Sequence, residues 1–204
     1  VAEGGPTRLG PAALEGKVVL VAGGAGAVGN AAIQLARWSG ATVITTVSSD
    51  EKAALATAAG AHHVVNYRTG DAVQEILAVA PDGVDIAVEV APAQNNALDL
   101  AVVKNRGTIA VYANNGGETF TIDIRPTFTR NLRYQFLVLY HLGEDLISLA
   151  AEDVTAAVGS GALQVGVHAG LPVHHFSLEE TAAAHAAVEG GAVGKVLIDV
   201  GEPG

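Results

Sequence analysis

A short apolar run, a glycine-rich turn and a helical stretch follow one another over residues 17–39, and no other feature constrains the fold as tightly. The run Lys17-Val-Val-Leu-Val-Ala22 is continuous and β-branched, the pattern of a strand buried on both faces. GAGAVG follows at once, with Gly24, Gly26 and Gly29 in the G-x-G-x-x-G spacing. From Asn30 to Ser39, Ile33, Leu35, Ala36 and Trp38 then recur at mainly helical spacing, with Gly40 as the stop. With 25 glycines in 204 residues the spacing alone means little; the strand before it and the helix after it give it meaning. In that setting Gly24 turns the chain tightly, Gly26 lets backbone approach a pyrophosphate, and Gly29 lets the helix pack close to the sheet. The open N–H groups and positive dipole end of the helix then face the diphosphate. A strand–helix turn with no ligand is the plainer alternative.

The same alternation continues down the chain. Strands are predicted at 42–47, 62–65, 84–89, 107–112 and 133–140, with helices at 50–59, 71–79 and 93–103 between the earlier ones. Alternating strands and helices predict a doubly wound parallel sheet of α/β class, with helices on both faces and right-handed crossovers. Beyond Tyr140 the texture changes: a helix at 144–159, strands at 163–168 and 171–176 around a turn at Gly170, a helix at 178–189 and a last strand at 195–200. Residues 1–16, rich in Gly and Pro, read as a linker, 17–160 as a dinucleotide-binding domain, and 161–204 as a segment that leaves the main sheet to pack on something beside it.

The end of the second strand decides which dinucleotide is bound. An NAD site places a carboxylate there for the ribose 2′-hydroxyl. Here the window Thr45-Thr46-Val47-Ser48-Ser49 is neutral, Asp50 comes late, and Lys52 follows. Small hydroxyls and a lysine suit a 2′-phosphate; Lys52 could equally be an ordinary solvated helix lysine.

Charge and composition exclude other classes. Eleven Lys+Arg against 21 Asp+Glu give a net charge of −10, with no basic run, which argues against nucleic acid or an anionic membrane surface as partner. No stretch approaches the roughly 20 apolar residues that span a bilayer, and the first residues lack the pattern of a signal peptide. A cytoplasmic protein is the expectation. With no cysteine, neither a disulfide framework nor a thiolate metal site is available, and no metal is expected. There is no G-x-S-x-G elbow and no H-E-x-x-H, and GAVGKV at Gly191–Val196 lacks the first glycine and the Ser/Thr of a P-loop. His62-His63 and His174-His175 alternate across strands and do not chelate readily.

The segments VLVAGGAGAVGNAAIQLAR (Val19–Arg37), TVSSDEKAA with Lys52, GAHHVVNYR (Gly60–Arg68), VDIAVEV (Val84–Val90), RGTIAVYANNGG (Arg106–Gly117) and FSLEETAAAHAAVEGGAVGKVLI stand in an order and spacing of their own. Over about Lys17 to Val200 the chain resembles the cofactor-binding half of the zinc-independent, zeta-crystallin-like quinone oxidoreductases of the medium-chain dehydrogenase/reductase superfamily. The resemblance implies a Rossmann sheet and NADPH as cofactor. It puts the pyrophosphate turn on Gly26, Ala27, Val28 and Gly29, and the 2′-phosphate contacts on Ser48, Lys52 and Tyr67, with Arg68 nearby. The nicotinamide would be lined by Val90, Tyr112, Ala113, Asn114 and Asn115 and by backbone around Leu137 and Val138, with Glu89 at the position of a family acid. Ala27, Pro92 and Ala113 stand where glycines are usual, and Pro92 is expected to stiffen a loop beside the nicotinamide.

The implied activity is hydride transfer from NADPH to a quinone or an α,β-unsaturated carbonyl. An enoyl thioester reductase and a non-catalytic NADPH-binding module are the alternatives. No catalytic residue is identified. The resemblance also implies an N-terminal GroES-like catalytic β-domain that supplies much of the substrate pocket, with 161–204 as the segment returning toward it. The chain, which starts at Val1 without methionine, thus reads as part of a two-domain enzyme. The apolar run Tyr134–Tyr140, expected as an uncharged outermost strand, predicts a homodimer through that edge.

Overall fold

The computed structural model describes residues 8–201. The strands are β1 (Val18–Ala22), β2 (Thr42–Val47), β3 (His63–Asn66), β4 (Val84–Glu89), β5 (Val103–Val111), β6 (Arg133–Phe136), β7 (Val173–Ser177) and β8 (Lys195–Asp199). The helices are α1 (Ala27–Trp38), α2 (Asp50–Ala58), α3 (Ala72–Val79), α4 (Pro92–Val102), α5 (Ile124–Thr129), α6 (Glu144–Gly159) and α7 (Thr181–Glu189). The first six strands form one parallel sheet in the order β3-β2-β1-β4-β5-β6. The order reverses between β1 and β4, which opens a crevice at the C-terminal ends of those strands.

Period-two alternation divides the strands between two cores. Val19, Val21 and Val43 pack with Ile33 and Ala36 of α1 and Ala56 of α2. Leu20, Ile44, Val65 and Ile109 face the other way, onto Ile76 of α3 and Val102 of α4. Burial on both faces explains why β1 and β2 read as continuous apolar runs. At the opposite end of the sheet, Asp85 ties β1, β4 and β5 together: its carboxylate accepts from Val18 N at 2.9 Å and pairs with Lys17 at 3.1 Å and Lys104 at 2.5 Å.

Several expectations need correction. The sixth strand ends at Phe136, not Tyr140, because its partner β5 ends at Val111. Leu137 N still donates to Val111 O at 3.0 Å, but no further rung follows among the described residues, and residues 139–141 form a 3-10 turn. No strand covers 163–168. Gly166 adopts φ +56°, residues 166–169 form a 3-10 turn, and the backbone of Gln164 bonds to a side chain of α1. Pro92 is no loop stiffener: it is buried at the start of α4, where a missing N–H costs nothing. Helix α5 was not expected from the sequence; its Pro126 falls in the first turn, where a proline is tolerated.

Residues 1–7 of the expected linker lie outside the described residues. Residues 8–16 form turns held to the body, with Leu9 N bonded to Asp153 at 2.8 Å and Leu14 N to Ser39 O at 2.6 Å. Beyond α6, residues 163–171 are latched onto α1. Asn30 Nδ2 donates to Ala169 O, Gln34 Nε2 donates to Asn30 Oδ1 and Gln164 O, and Gln164 N donates back to Gln34 Oε1. β7 and β8 form a separate parallel pair, linked to the main body by a bridge between Gly26 and Gly194.

Candidate functional site

At the end of β1 the three glycines of the motif divide the work differently from the sequence expectation. The tight turn belongs to Gly23, at φ +69°. Gly24 is needed for space, since a Cβ there would run into Thr45 Oγ1 and lie 2.8 Å from Ile33 Cδ1. Thr45 is fixed in turn by its own bond to Val21 O at 2.7 Å. Gly29 serves close packing as expected, because a Cβ there would overlap the Gly23 carbonyl. Gly26 is exposed, and its missing Cβ would meet only the Gly23 oxygen, at 3.4 Å. That surface is free for a ligand to approach.

Gly26 also caps α1 without a side chain, so no side-chain oxygen takes the first-turn N–H groups. Ala27 and Val28 open the helix there, with Val28 half-exposed. Ala27 needs no glycine, since it is not among the residues at positive φ.

The second cluster lies at the neighbouring ends of β2 and β3. Lys52 Nζ donates to Ser48 Oγ at 3.1 Å, and Ser49 caps α2 by accepting from Lys52 N at 3.3 Å. Val47 pairs in register with Asn66, and Tyr67 N donates to Val47 O at 3.2 Å, which sets Tyr67 and Arg68, both exposed, beside Ser48. The nearest acid of that turn, Asp50, is bonded to Asn66 Nδ2 at 3.5 Å.

The third cluster is the corner after β4. Val90 lies close to Gly23, and Val90 O accepts from Asn115 N at 3.0 Å. Tyr112 N donates to Glu89 O at 3.1 Å as the last rung of the β4–β5 ladder, so the segment carrying Tyr112, Ala113, Asn114 and Asn115 stays beside the end of β4. Burial first, then the Glu89 charge, push the Tyr112 phenol up to about 12, so it stays neutral. Leu137 joins the ladder of β5 and Val138 is exposed just beyond it. The residues expected around the dinucleotide thus fall at the C-terminal ends of all six strands, β1 to β6. A cavity of about 1270 Å³ lined by Lys17, Asp85, Lys104 and Arg133 opens at the other ends of the strands and is not this site.

The sequence marked Glu89 but not the partners, Asn95 and Asp99, that support it and the corner. Glu89 is fully buried and accepts from Ala91 N and from Asn95 Nδ2 at 3.0 and 3.2 Å, and Asp99 lies within hydrogen-bonding reach of it. The signal was present: Pro92, Asn95, Asp99 and Val102 recur at the spacing of one helix face, so Asp99 stands on a core-facing stripe.

A doubly wound parallel sheet with a glycine turn at its switch point defines an α/β unit of the dinucleotide-binding type. The sequence profile of the zinc-binding dehydrogenases matches residues 27–152, and the chain belongs to that family. Quinone oxidoreductase of Homo sapiens is 31% identical over 190 residues, covering 90% of this chain and 54% of that protein. Among solved structures, a 2-haloacrylate reductase superposes with TM-score 0.80 at 28% identity, covering 96% of this chain and 59% of the other. A mycobacterial protein solved in complex with NADPH gives 0.77 at 29% identity, covering 90% and 56%. These likenesses bear out the resemblance to quinone oxidoreductases of the medium-chain dehydrogenase/reductase superfamily. The chain spans about half the length of the curated relatives it matches.

The family name carries zinc, but this chain has no cysteine. Among the described residues no group of three or more His, Asp or Glu is placed to hold a metal, so zinc does not fit them. No helix among them is long and apolar enough to cross a membrane.

Proposed function

We propose that this chain binds NADPH across the C-terminal ends of β1, β2 and β4 and serves an oxidoreductase that reduces quinones or α,β-unsaturated carbonyls. The observation that carries the reading is the convergence of Ser48, Lys52 and Tyr67 where β2 ends, with no carboxylate in the strand end Thr45–Ser49 itself. Lys52 and Ser48 would hold the 2′-phosphate with Tyr67 beside them and Arg68 nearby, and the first-turn N–H groups of Ala27, Val28 and Gly29 would hold the pyrophosphate. Val90, Tyr112, Ala113, Asn114, Asn115, Leu137 and Val138 would line the nicotinamide. When bound, the cofactor supplies a hydride from C4 of its nicotinamide, and the protein's part is to orient that carbon toward the acceptor.

The likeness to a 2-haloacrylate reductase favours an acceptor with an activated double bond, and so keeps enoyl thioesters beside quinones. Residues 17–160 would form the dinucleotide-binding unit, with 161–204 facing a second, β-rich unit of the whole protein. Exposed Val165, Val167 and Val200 support that facing surface. Since Asn114, Asn115 and Val138 are exposed, an acceptor is poorly held by these residues alone, and turnover by the 204-residue chain should be low. The test is titration with NADPH and NADH, followed by NADPH oxidation with a panel of quinones, enones and enoyl thioesters. NADPH should bind more tightly; equal affinity for the two would overturn the reading.

A further inference from the structure

Glu89, at the end of β4, and Asp99, in the last turns of α4, are each 1% exposed. They lie within hydrogen-bonding reach of one another. Two ionised carboxylates so close and so dry repel strongly, and such a pair keeps one proton instead. The hydrogen-bond inventory agrees. Glu89 receives Ala91 N–H and Asn95 Nδ2, whereas buried Asp99 Oδ2 has no donor among the described residues. An unpartnered acceptor in the core is costly, and a proton on Asp99 turns it into a donor.

We propose that Asp99 is held as a carboxylic acid that donates its proton to Glu89, and that this bond positions the corner from Val90 to Pro92 at the nicotinamide end of the site. Only the nicotinamide clause rests on the dinucleotide reading. Glu89 fixes Ala91 through its side chain and Tyr112 N through its backbone oxygen, while Val90 O holds Asn115. Whatever sets the charge and place of Glu89 therefore sets both sides of the corner.

Burial first, and then the Glu89 charge, push the Asp99 carboxyl up to about 8. The titratable groups facing the pair are Tyr112, just past β5, and Tyr134 from β6, with Arg130 from the end of α5 acting on Tyr134. Both tyrosines are pushed up to about 12, chiefly by burial, and stay neutral while Asp99 titrates. Tyr134 donates to Asn96 Oδ1 at 2.6 Å, and Arg130 is engaged by Leu100 O at 2.6 Å and Val103 O at 3.1 Å. Between the ordinary carboxyl range and about 8, the folded chain then binds a proton that the unfolded chain has released. Stability from this group falls as pH rises through that window and levels off above it.

The test uses the 204-residue chain without cofactor, as wild type, Asp99→Asn and Asp99→Ala. Urea unfolding is followed from pH 5 to 9, with amide protection of Ala91 and the infrared carboxylic-acid band at pH 6. In wild type the unfolding constant should climb with pH by up to about tenfold per unit from this one proton. Asp99→Asn keeps a donor to Glu89 and cannot titrate, so that component should vanish while Ala91 stays protected. Asp99→Ala should lower Ala91 protection at least about tenfold. Equal pH slopes in wild type and Asp99→Asn, or no acid band lost in Asp99→Asn, overturn the shared proton. Unchanged Ala91 protection in Asp99→Ala overturns the positioning role. If Asp99→Ala does not fold, loss of Ala91 protection in wild type between pH 6 and 9, absent in Asp99→Asn, decides the positioning role. Failure of NADPH to bind wild type would instead overturn the dinucleotide reading and leave these measurements standing.

Discussion

At the scale of single residues, the site makes two contrasts that binding and stability measurements separate. Lys52 is half-buried against Ser48, where in the proposed site its ammonium would stand in place of the carboxylate of an NAD site. A charge-assisted bond to a 2′-phosphate contributes about 1.5–3 kcal/mol. Lys52→Ala should therefore cut the preference for NADPH over NADH by roughly that amount and leave NADH affinity nearly unchanged, as calorimetric titration of both dinucleotides would show. An equal loss for both would assign Lys52 a structural role. The glycines make the second contrast. Gly29→Ala forces a methyl into the rigid Gly23 carbonyl and should cost about 1–3 kcal/mol of stability. Gly26→Ala makes only a contact with the Gly23 oxygen, at 3.4 Å, and should cost within about 1 kcal/mol, the difference between a glycine and an alanine cap. It should nonetheless weaken NADPH binding, since the methyl points where the pyrophosphate must approach. A Gly26→Ala protein that binds NADPH as wild type does would move the pyrophosphate elsewhere. The spacing of the motif was legible in the sequence, but the duties of its glycines were not. They depend on Thr45 and Ile33, which reach Gly24 only once β2 and α1 are packed.

At the scale of elements, β6 is the open edge of the sheet. Its four residues leave Phe136 half-exposed, with Val138, Leu139 and Tyr140 exposed just beyond. An open edge whose one charge, Arg133, stands at its start and which runs on into exposed apolar residues is a template for pairing, and a two-fold dimer continuing the sheet through β6 would cover it. Pairing would displace the bond that Gln135 Nε2 makes to Phe136 O at 3.0 Å. Light scattering at micromolar concentration should give the mass of a dimer for wild type and of a monomer for Phe136→Lys. A wild-type monomer would remove this role for the edge. Element type was legible wherever the hydrophobic period was strong, as in β1, β2, β4 and α1, because packing on two faces writes itself into every residue. It was illegible where a remote partner decided the outcome. β6 stops because β5 stops, and Gln164 leaves an extended run because Gln34 claims its backbone.

At the scale of the whole molecule, the chain is unevenly held. The six-stranded sheet buries Val19, Val21, Leu20, Ile44 and Ile109 between two helical layers. The segment 163–171 shares in that order through Asn30 and Gln34, with Leu163, Ala169 and Leu171 buried. The pair β7–β8, with α7 against it, has no such layer on both faces: Leu197 is over a third exposed and Val188 more than half. A two-stranded sheet is marginal by itself, and a unit with few buried apolar contacts opens at lower free energy than the core. Amides of β7 and β8 should therefore exchange at least about tenfold faster than those of β1 and β4, while Leu171 N, bonded to Gly166 O at 3.0 Å, exchanges slowly. The Gly26–Gly194 bridge adds a second expectation, because it joins this pair to the turn that would hold the pyrophosphate. Saturating NADPH should raise protection at Gly194 and Lys195 more than at Phe176. Uniform protection across β1, β4, β7 and β8 without ligand would instead show that the 204 residues open as a single cooperative unit.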